Sequence, residues 1–425
     1  MADFKHEDVD LTDVEIQQCP YDAYKKLRDN APIYQDPKTG FFIVTRYEDV
    51  RHVLKDTENF KSSYGRPEKA EGNINSEHVK KGVQLFKEKG WVPAPTLAGR
   101  DDPNHKEMRS IFDQAFRPSR IKELEPYVES LSYELINAFI DDGYCNWVKQ
   151  FSIPLPLKII GIQMGIENDD DLWKIKKSTD AFFHRIGMML TQEEELETIE
   201  REIEGQHYFQ PIFEKLRECP NDTLLSELVN TEIEEWGRTL NDNELHAEMM
   251  ADTFVGGSET TTNALSAGIK LLIEKKDVWQ MLKENSEKYL KVFVEEVLRL
   301  ESPVQSLMRN THKDVELNGV KIPSGSIVNV RYAAANRDEN YFEKPEEINL
   351  ERKKAGSHMA FGSGVHHCLG APLARRELYW GFKAALDSFD DMWFAEGKNN
   401  FEYHPHFLLR SLKELHIEFS PNPKR

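Results

Sequence analysis

The stretch Phe361-Gly362-Ser363-Gly364-Val365-His366-His367-Cys368-Leu369-Gly370, running straight into Ala371-Pro372, constrains this chain more than any other feature. Two glycines two apart allow a backbone turn that side chains would block. Proline in a first helical turn gives up no hydrogen bond, so the spacing predicts a helix opening just past the cysteine. A sulfur at that point faces free backbone N–H groups and the positive helix end, which favours a thiolate kept as a metal ligand. Three other readings stay open on these residues alone. Cysteine is among the most buried residue types, so Cys368 fits a structural core position. Zinc held by His366, His367 and Cys368 asks adjacent residues to converge on one ion and lacks further ligands. A nucleotide loop lacks its third glycine, with His367 in that place, and no Walker lysine follows.

The rest of the chain is helical in pattern. Apolar residues recur at helical spacing over 20–29, 47–54, 105–115, 121–141, 155–164, 169–190, 194–217, 241–275, 277–285, 287–300 and 372–388. Strand patterns are few: 32–34, 40–45, 315–322 around Asn318-Gly319, 326–330 and 413–419. Residues 61–100 form an irregular stretch too long for a plain connector, which suggests a functional loop or lid. Residues 1–18 are acidic and are expected to be loosely attached. The reading is a mainly α body with a small β-rich region, one domain over residues 1–425.

Lys plus Arg is 55 against 74 Asp plus Glu, a net charge of −19, which argues against a general nucleic-acid binder. Twenty-three Phe, 14 Tyr and 7 Trp supply a sizeable core and disfavour disorder. The four cysteines, Cys19, Cys145, Cys219 and Cys368, are widely spaced and form no CxxC pair, so no disulfide framework is expected. The N-terminus lacks an apolar run and no stretch is long enough to span a bilayer, so a cytoplasmic protein without a membrane segment is expected.

Taken with four further motifs, the cysteine loop resembles the haem-binding loop of the bacterial cytochrome P-450 family of haem-thiolate monooxygenases. The motifs are Glu296-Val-Leu-Arg299, Gly256-Gly257-Ser258-Glu259-Thr260-Thr261, Ala335-Asn336-Arg337-Asp338, and Asp102-Pro103-Asn104-His105 with Arg109. They occur in the family's order and span almost the whole chain. The resemblance implies the P-450 fold, haem b as cofactor and Cys368 as axial ligand of the haem iron. It implies that Phe361, Gly370, Gly256 and Gly257 approach the haem, and that His105, Arg109, Arg309 and His366 hold its carboxylates. Glu259 and Thr260 would manage the protons needed for dioxygen activation; the family often has Asp where Glu259 stands. Glu296, Arg299 and Arg352 would form a buried structural cluster.

Each motif also has a plain reading. Glu296 and Arg299 lie on one helix face, where a surface pair is worth only ~0.2–0.5 kcal/mol. Glycine inside a helix costs about 1 kcal/mol relative to alanine, so Gly256-Gly257 needs a reason, and close approach of a flat ligand is one. A helix distortion caused by Thr260 is another.

By the same resemblance, electrons are expected from NAD(P)H through a separate ferredoxin and ferredoxin reductase, because the haem domain takes up the length and no cysteine cluster remains for iron–sulfur. Arg109, Arg117, Arg120, Lys353, Lys354, Arg375 and Arg376 make a basic face for an acidic ferredoxin. The substrate is expected to be a small organic molecule. The regions the family uses for substrate contain Trp91, Phe182, His184, Val304, Gln305 and Phe407, with His404 and His406 nearby. That mix is polar for a steroid or fatty acid. The chain's charged, lysine- and asparagine-rich character also resembles proteins of marine polysaccharide-degrading bacteria, among which family members demethylate methoxy sugars. A methoxy sugar such as a methylated galactose is one expectation; a terpenoid, aromatic or lipid is the alternative. A haem-thiolate isomerase or peroxygenase, or a haem sensor, gives no reason for Glu259-Thr260.

Overall fold

The computed structural model describes residues 5–62 and 77–423. Helices dominate, as the periodicity indicates, and three short sheets accompany them. Side chains cap several helices. Thr191 and Glu194 bond reciprocally at the start of Gln192–Glu218, and Asn241 and Glu244 do the same ahead of Asp242–Glu248.

Asp242–Glu248 continues without a break into Met249–Glu259 and then Thr260–Glu274. The middle part has wider, π-type turns, a form found mostly as local insertions at functional sites. Gly256 and Gly257 fall inside it, where helix propensity is weakest.

A second helix, Ala371–Ser388, leaves the cysteine loop and packs against the last part of this long helix. The approach depends on Gly268: a Cβ there would lie 2.2 Å from Cζ of Phe382. Phe382 in turn meets Phe293 of Ser286–Leu300 edge to face, at 5.2 Å between ring centres. These three helices, with the fully buried Trp147 and Trp279, form the main core. The cysteine loop and the Gly256–Thr260 segment are thereby tied to one rigid body. Leu369, beside the cysteine, packs into the same apolar cluster as Phe254, two residues before Gly256.

The largest sheet runs Ile33–Gln35, Phe42–Val44, Ile327–Val330, Leu307–Thr311, Phe60–Lys61, and its one parallel pair joins Phe42–Val44 to Ile327–Val330. Val315–Leu317 and Val320–Ile322 form a hairpin that turns at Asn318 and Gly319, both at positive φ. His416–Pro421 pairs with Tyr144–Asn146 and Phe389–Phe394.

Two expectations are corrected. The segment from Lys5 onward is docked: Val9 and Leu11 are buried, and the Gln17 and Gln18 side chains accept from the backbone of His406 and Tyr403. Its two apolar residues explain this, because they sit in a run otherwise read as acidic tail. The stretch 61–100 contains a helix, Glu77–Lys89, whose apolar face meets Ile199 and Ile203; the part at 63–76 lies outside the described residues.

Candidate active site

The cysteine loop is held in shape by backbone bonds. Cys368 N–H donates to the Phe361 carbonyl at 2.9 Å. Gly364 sits at φ +76°, and a Cβ there would come within 2.7 Å of the Leu54 carbonyl, so the loop's docking on the end of Tyr47–Lys55 requires glycine. Cys368 keeps accessible surface, yet protein surrounds its sulfur closely enough for burial to act on it. Burial pushes the thiol above its ordinary range, while N–H groups of Gly370 and Ala371 and the charges of Arg109 and Arg375 pull it down. A sulfur met by two N–H donors at a helix start is suited to carry negative charge as a ligand.

The facing segment of the long helix is buried at Phe254, Val255, Ser258 and Glu259, but accessible at Gly256 and Thr260. A Cβ on Gly256 would meet nothing closer than the Ala251 carbonyl at 3.6 Å, so a side chain there would project into the recess that a flat ligand needs. Thr260 Oγ1 donates to the Gly256 carbonyl at 2.9 Å. Glu259 turns the other way. Its Oε1 lies 2.6 Å from Lys176 Nζ on the helix Asp169–Ile186, and Lys176 also bonds Asp180. Burial raises the Glu259 carboxyl from its ordinary range and Lys176 opposes that rise.

Three basic groups converge beside the loop. His105 and His366 rings lie 4.1 Å apart, and His366 Nε2 is buried without a hydrogen-bond partner among the described residues. Burial and the neighbouring His105 and Arg309 hold His366 down to about 3. His105 is lowered by burial, against Asp102, whose Oδ1 is 3.3 Å from its Nδ1. Arg309 is 6% exposed and its Nη1 donates to its neighbour's carbonyl. An orphaned imidazole nitrogen beside a buried guanidinium fits a carboxylate, and the open surface at Gly256 fits a flat ring; Gly257 departs from the expectation, because a Cβ there would meet the Ile160 side chain at 3.4 Å, so it serves helix packing. The residues present therefore match a haem with its propionates. Arg109 behaves differently from the expectation: both terminal nitrogens donate to the Val365 and His367 carbonyls at 3.0 Å, so it braces the loop.

Glu296 is fully buried and accepts from Arg299 Nε and Nη2 at 2.8 and 3.0 Å, from Arg352 Nε at 2.8 Å and from the Asn349 N–H at 2.9 Å. Arg299 also donates to the carbonyls of Asn336, Pro345 and Glu347, which ties the segment leading to the loop onto Ser286–Leu300. Next to it lies a second cluster that the motifs did not reveal. Glu295 accepts from Arg375 Nε at 2.6 Å and sits 3.1 Å from His358, which holds its carboxyl down to about 2 against burial. Arg375 also stacks on Phe361. Arg375 is thus tied inward, Arg120 is paired with Glu227 and Arg376 with Glu125, so the basic face is smaller than expected; Arg117, Lys353 and Lys354 remain exposed. A further missed residue is Glu377, buried on Ala371–Ser388, pushed up to about 8 by burial and bonded to Thr261 of the long helix.

Several expected pocket residues are engaged elsewhere. Trp91 exchanges two hydrogen bonds with the Gln206 side chain and stacks on His246 at 4.3 Å, which fastens the segment before Arg100 to Gln192–Glu218. Gln305 accepts from the Tyr24 hydroxyl and donates to the Ser302 carbonyl. His406 bonds the Phe183 carbonyl, and Phe407 lies under Arg331 at 4.2 Å. Gln305, His406 and Phe407 border a cavity of about 20 Å³, room for water but not for substrate. Phe182 lies beneath Arg185, and His184 meets His404 at 5.1 Å; Val304 is half-buried. These side chains satisfy local backbone and ring contacts that sequence spacing does not display.

Comparison with known proteins accords with this geometry. Residues 170–416 match the Cytochrome P450 family. The chain is 31% identical over 418 residues to the polyketide biosynthesis cytochrome P450 PksS of Bacillus subtilis, covering 96% of this chain and 97% of the relative. It is 32% identical over 394 residues to cytochrome P450(BM-1) of Priestia megaterium, covering 91% and 90%. A crystal structure of CYP109E1 from Bacillus megaterium with testosterone superposes with a TM-score of 0.77 at 30% identity, covering 94% of this chain and 99% of that one. The chain belongs to the cytochrome P450 family. It is a haem-dependent monooxygenase that hydroxylates an organic substrate. Among the described residues, no helix is long and apolar enough to cross a membrane.

Proposed function

We propose that Cys368 is the axial thiolate ligand of haem b, with Gly256 and Phe361 leaving room for the ring and its carboxylates held by His105, His366 and Arg309. The observation that carries this is the sulfur itself: accessible, met by two N–H donors, and followed by Leu369, which packs into the cluster that holds Phe254, two residues before Gly256. Haem, when bound, supplies the reductive activation of dioxygen. The chain's own residues do the rest. Thr260 presents its hydroxyl oxygen in the recess as a proton-relay group. Glu259 stores a proton behind it, poised by the opposing pulls of burial and Lys176.

The substrate we infer is a methoxy sugar, oxidatively O-demethylated. One oxygen atom of dioxygen enters a methoxy C–H bond, and the other leaves as water with two electrons and two protons. The resulting hemiacetal breaks into the free alcohol and formaldehyde. Electrons would come from NAD(P)H through ferredoxin reductase and a ferredoxin seated near Arg117, Lys353 and Lys354, in the cytoplasm, with the whole chain acting as one haem domain. Turnover of a methylated galactose with ferredoxin, reductase and NADH, scored as formaldehyde, tests this reading. A second reading has a specific support: a relative at 28% identity is a steroid C26-monooxygenase of Mycobacterium tuberculosis. Coupled hydroxylation of a steroid, with no formaldehyde from any methoxy sugar, would replace the first reading with the second.

A further inference from the structure

The long helix is surrounded by protein, and most of its central residues are sealed: Phe254, Val255, Ser258 and Glu259 are at most 5% exposed. Asp252, Gly256 and Thr260 differ. They recur every fourth residue, which places them on one face, and all three keep accessible surface. A carboxylate therefore shares the open face of the helix with Gly256 and Thr260, one turn toward the N-terminus from Gly256. Asp252 Oδ2 accepts the Ala98 N–H at 2.8 Å, in a hydrogen bond that is itself accessible, and the Thr96 hydroxyl bonds the same carboxylate. The next rung, Leu97 N–H to Glu248 Oε1 at 2.6 Å, is buried. Burial pushes the Asp252 carboxyl above its ordinary range, while the residue stays partly accessible on the face it shares with Gly256 and Thr260. Among the described residues, no cation lies within ion-pair distance of Asp252.

We propose that Asp252 is a specificity-determining residue: it accepts hydrogen bonds from the hydroxyl groups of a neutral, hydroxyl-bearing substrate and holds that substrate against the helix face formed by Asp252, Gly256 and Thr260. This rests on the reading of the recess between Cys368 and the long helix as the oxidation site. An ionised carboxylate offers about four lone-pair positions. Ala98 and Thr96 take two of them, and the remainder suit hydroxyl donors. A fully apolar ligand would strip water from the carboxylate and return nothing, which is the arrangement that rejects analogues lacking a hydroxyl. A hydroxyl is favoured over an ammonium because the charge is already shared with an N–H and a hydroxyl, and because Glu248, one turn away, is pushed by burial toward its neutral form.

The test uses the holoprotein and calorimetric titration with matched pairs: 6-O-methylgalactose and its deoxy analogues, a hydroxysteroid and its deoxy counterpart, and an amine analogue of each. The wild type is expected to favour the hydroxyl member of at least one pair by roughly tenfold or more, the size of a hydrogen bond to a charged group. Asp252→Leu is expected to erase that preference and Asp252→Asn to reduce it, with the carbon monoxide spectrum unchanged. Hydroxysteroid selection that disappears in Asp252→Leu, with no binding of methyl sugars, removes the sugar reading and leaves the role of Asp252 standing. A hydroxyl preference equal in wild type and both variants overturns the proposal. So does a wild type with no preference in any pair, or one that binds the amine more tightly.

Discussion

Replacing Lys176 by methionine isolates the charge on Glu259. The two side chains are only 7% and 5% exposed, with Nζ 2.6 Å from Oε1. Removing one partner of a buried pair costs about 3–5 kcal/mol, because the remaining charge keeps its desolvation penalty and loses its attraction. Glu259 can relieve part of this by binding a proton, at about 1.4 kcal/mol for each pKa unit separating it from the solution pH. Near neutral pH the single variant is therefore expected to lose roughly 3 kcal/mol. The double variant Lys176→Met/Glu259→Gln should recover most of that loss, since it leaves no buried charge. The pH sign follows from the raised carboxyl of Glu259. The folded chain holds a proton that the unfolded chain has released, so stability is greatest below the ordinary glutamate range and falls as pH rises through the folded value. Removing Lys176 raises that value further and extends the fall to higher pH. Urea unfolding of the holoprotein at several pH values, followed by tryptophan fluorescence, measures each term. Additive effects of the two single substitutions, with an interaction below about 0.5 kcal/mol, would refute the reasoning.

Two other outcomes follow from the same site. Glu377, pushed up to about 8 by burial, makes stability fall as pH rises from the ordinary glutamate range toward 8; Glu377→Gln is expected to flatten that dependence, and unchanged curves would place the titration elsewhere. Thr260→Ala should bind haem and substrate but yield less product per NADH consumed, with more peroxide released; unchanged coupling would leave Thr260 as a helix distortion through its bond to the Gly256 carbonyl.

What the sequence displays and what it hides divide along physical lines. The cysteine loop is legible because its chemistry is local: turn, sulfur and helix start lie within twelve residues. The long helix is legible from its periodicity, although the wider turns around Gly256 are not, since they depend on how the helix is packed. Glu296 and Arg299 advertise themselves by spacing, whereas Glu295 finds His358 and Arg375 only after folding brings them from 63 and 80 residues away. Lys176 is hidden from Glu259 for the same reason. Trp91 and Gln305 point to a pocket only by the regions they fall in. Their polar contacts with Gln206 and Tyr24 are long-range, and no local pattern encodes them. Asp252 carries a weak signal, an acid one turn before a glycine pair in an apolar stretch, which gains meaning once the open face of the helix is known.

The central claim is that Cys368 is the thiolate on the haem iron. The most direct measurement is the absorption spectrum of freshly reduced protein under carbon monoxide. The account predicts the red-shifted Soret band of thiolate ligation, its loss in Cys368→Ser, and its retention when Cys19, Cys145 or Cys219 is replaced. A histidine-type spectrum in the undegraded wild type, or a thiolate band that survives Cys368→Ser, would contradict it.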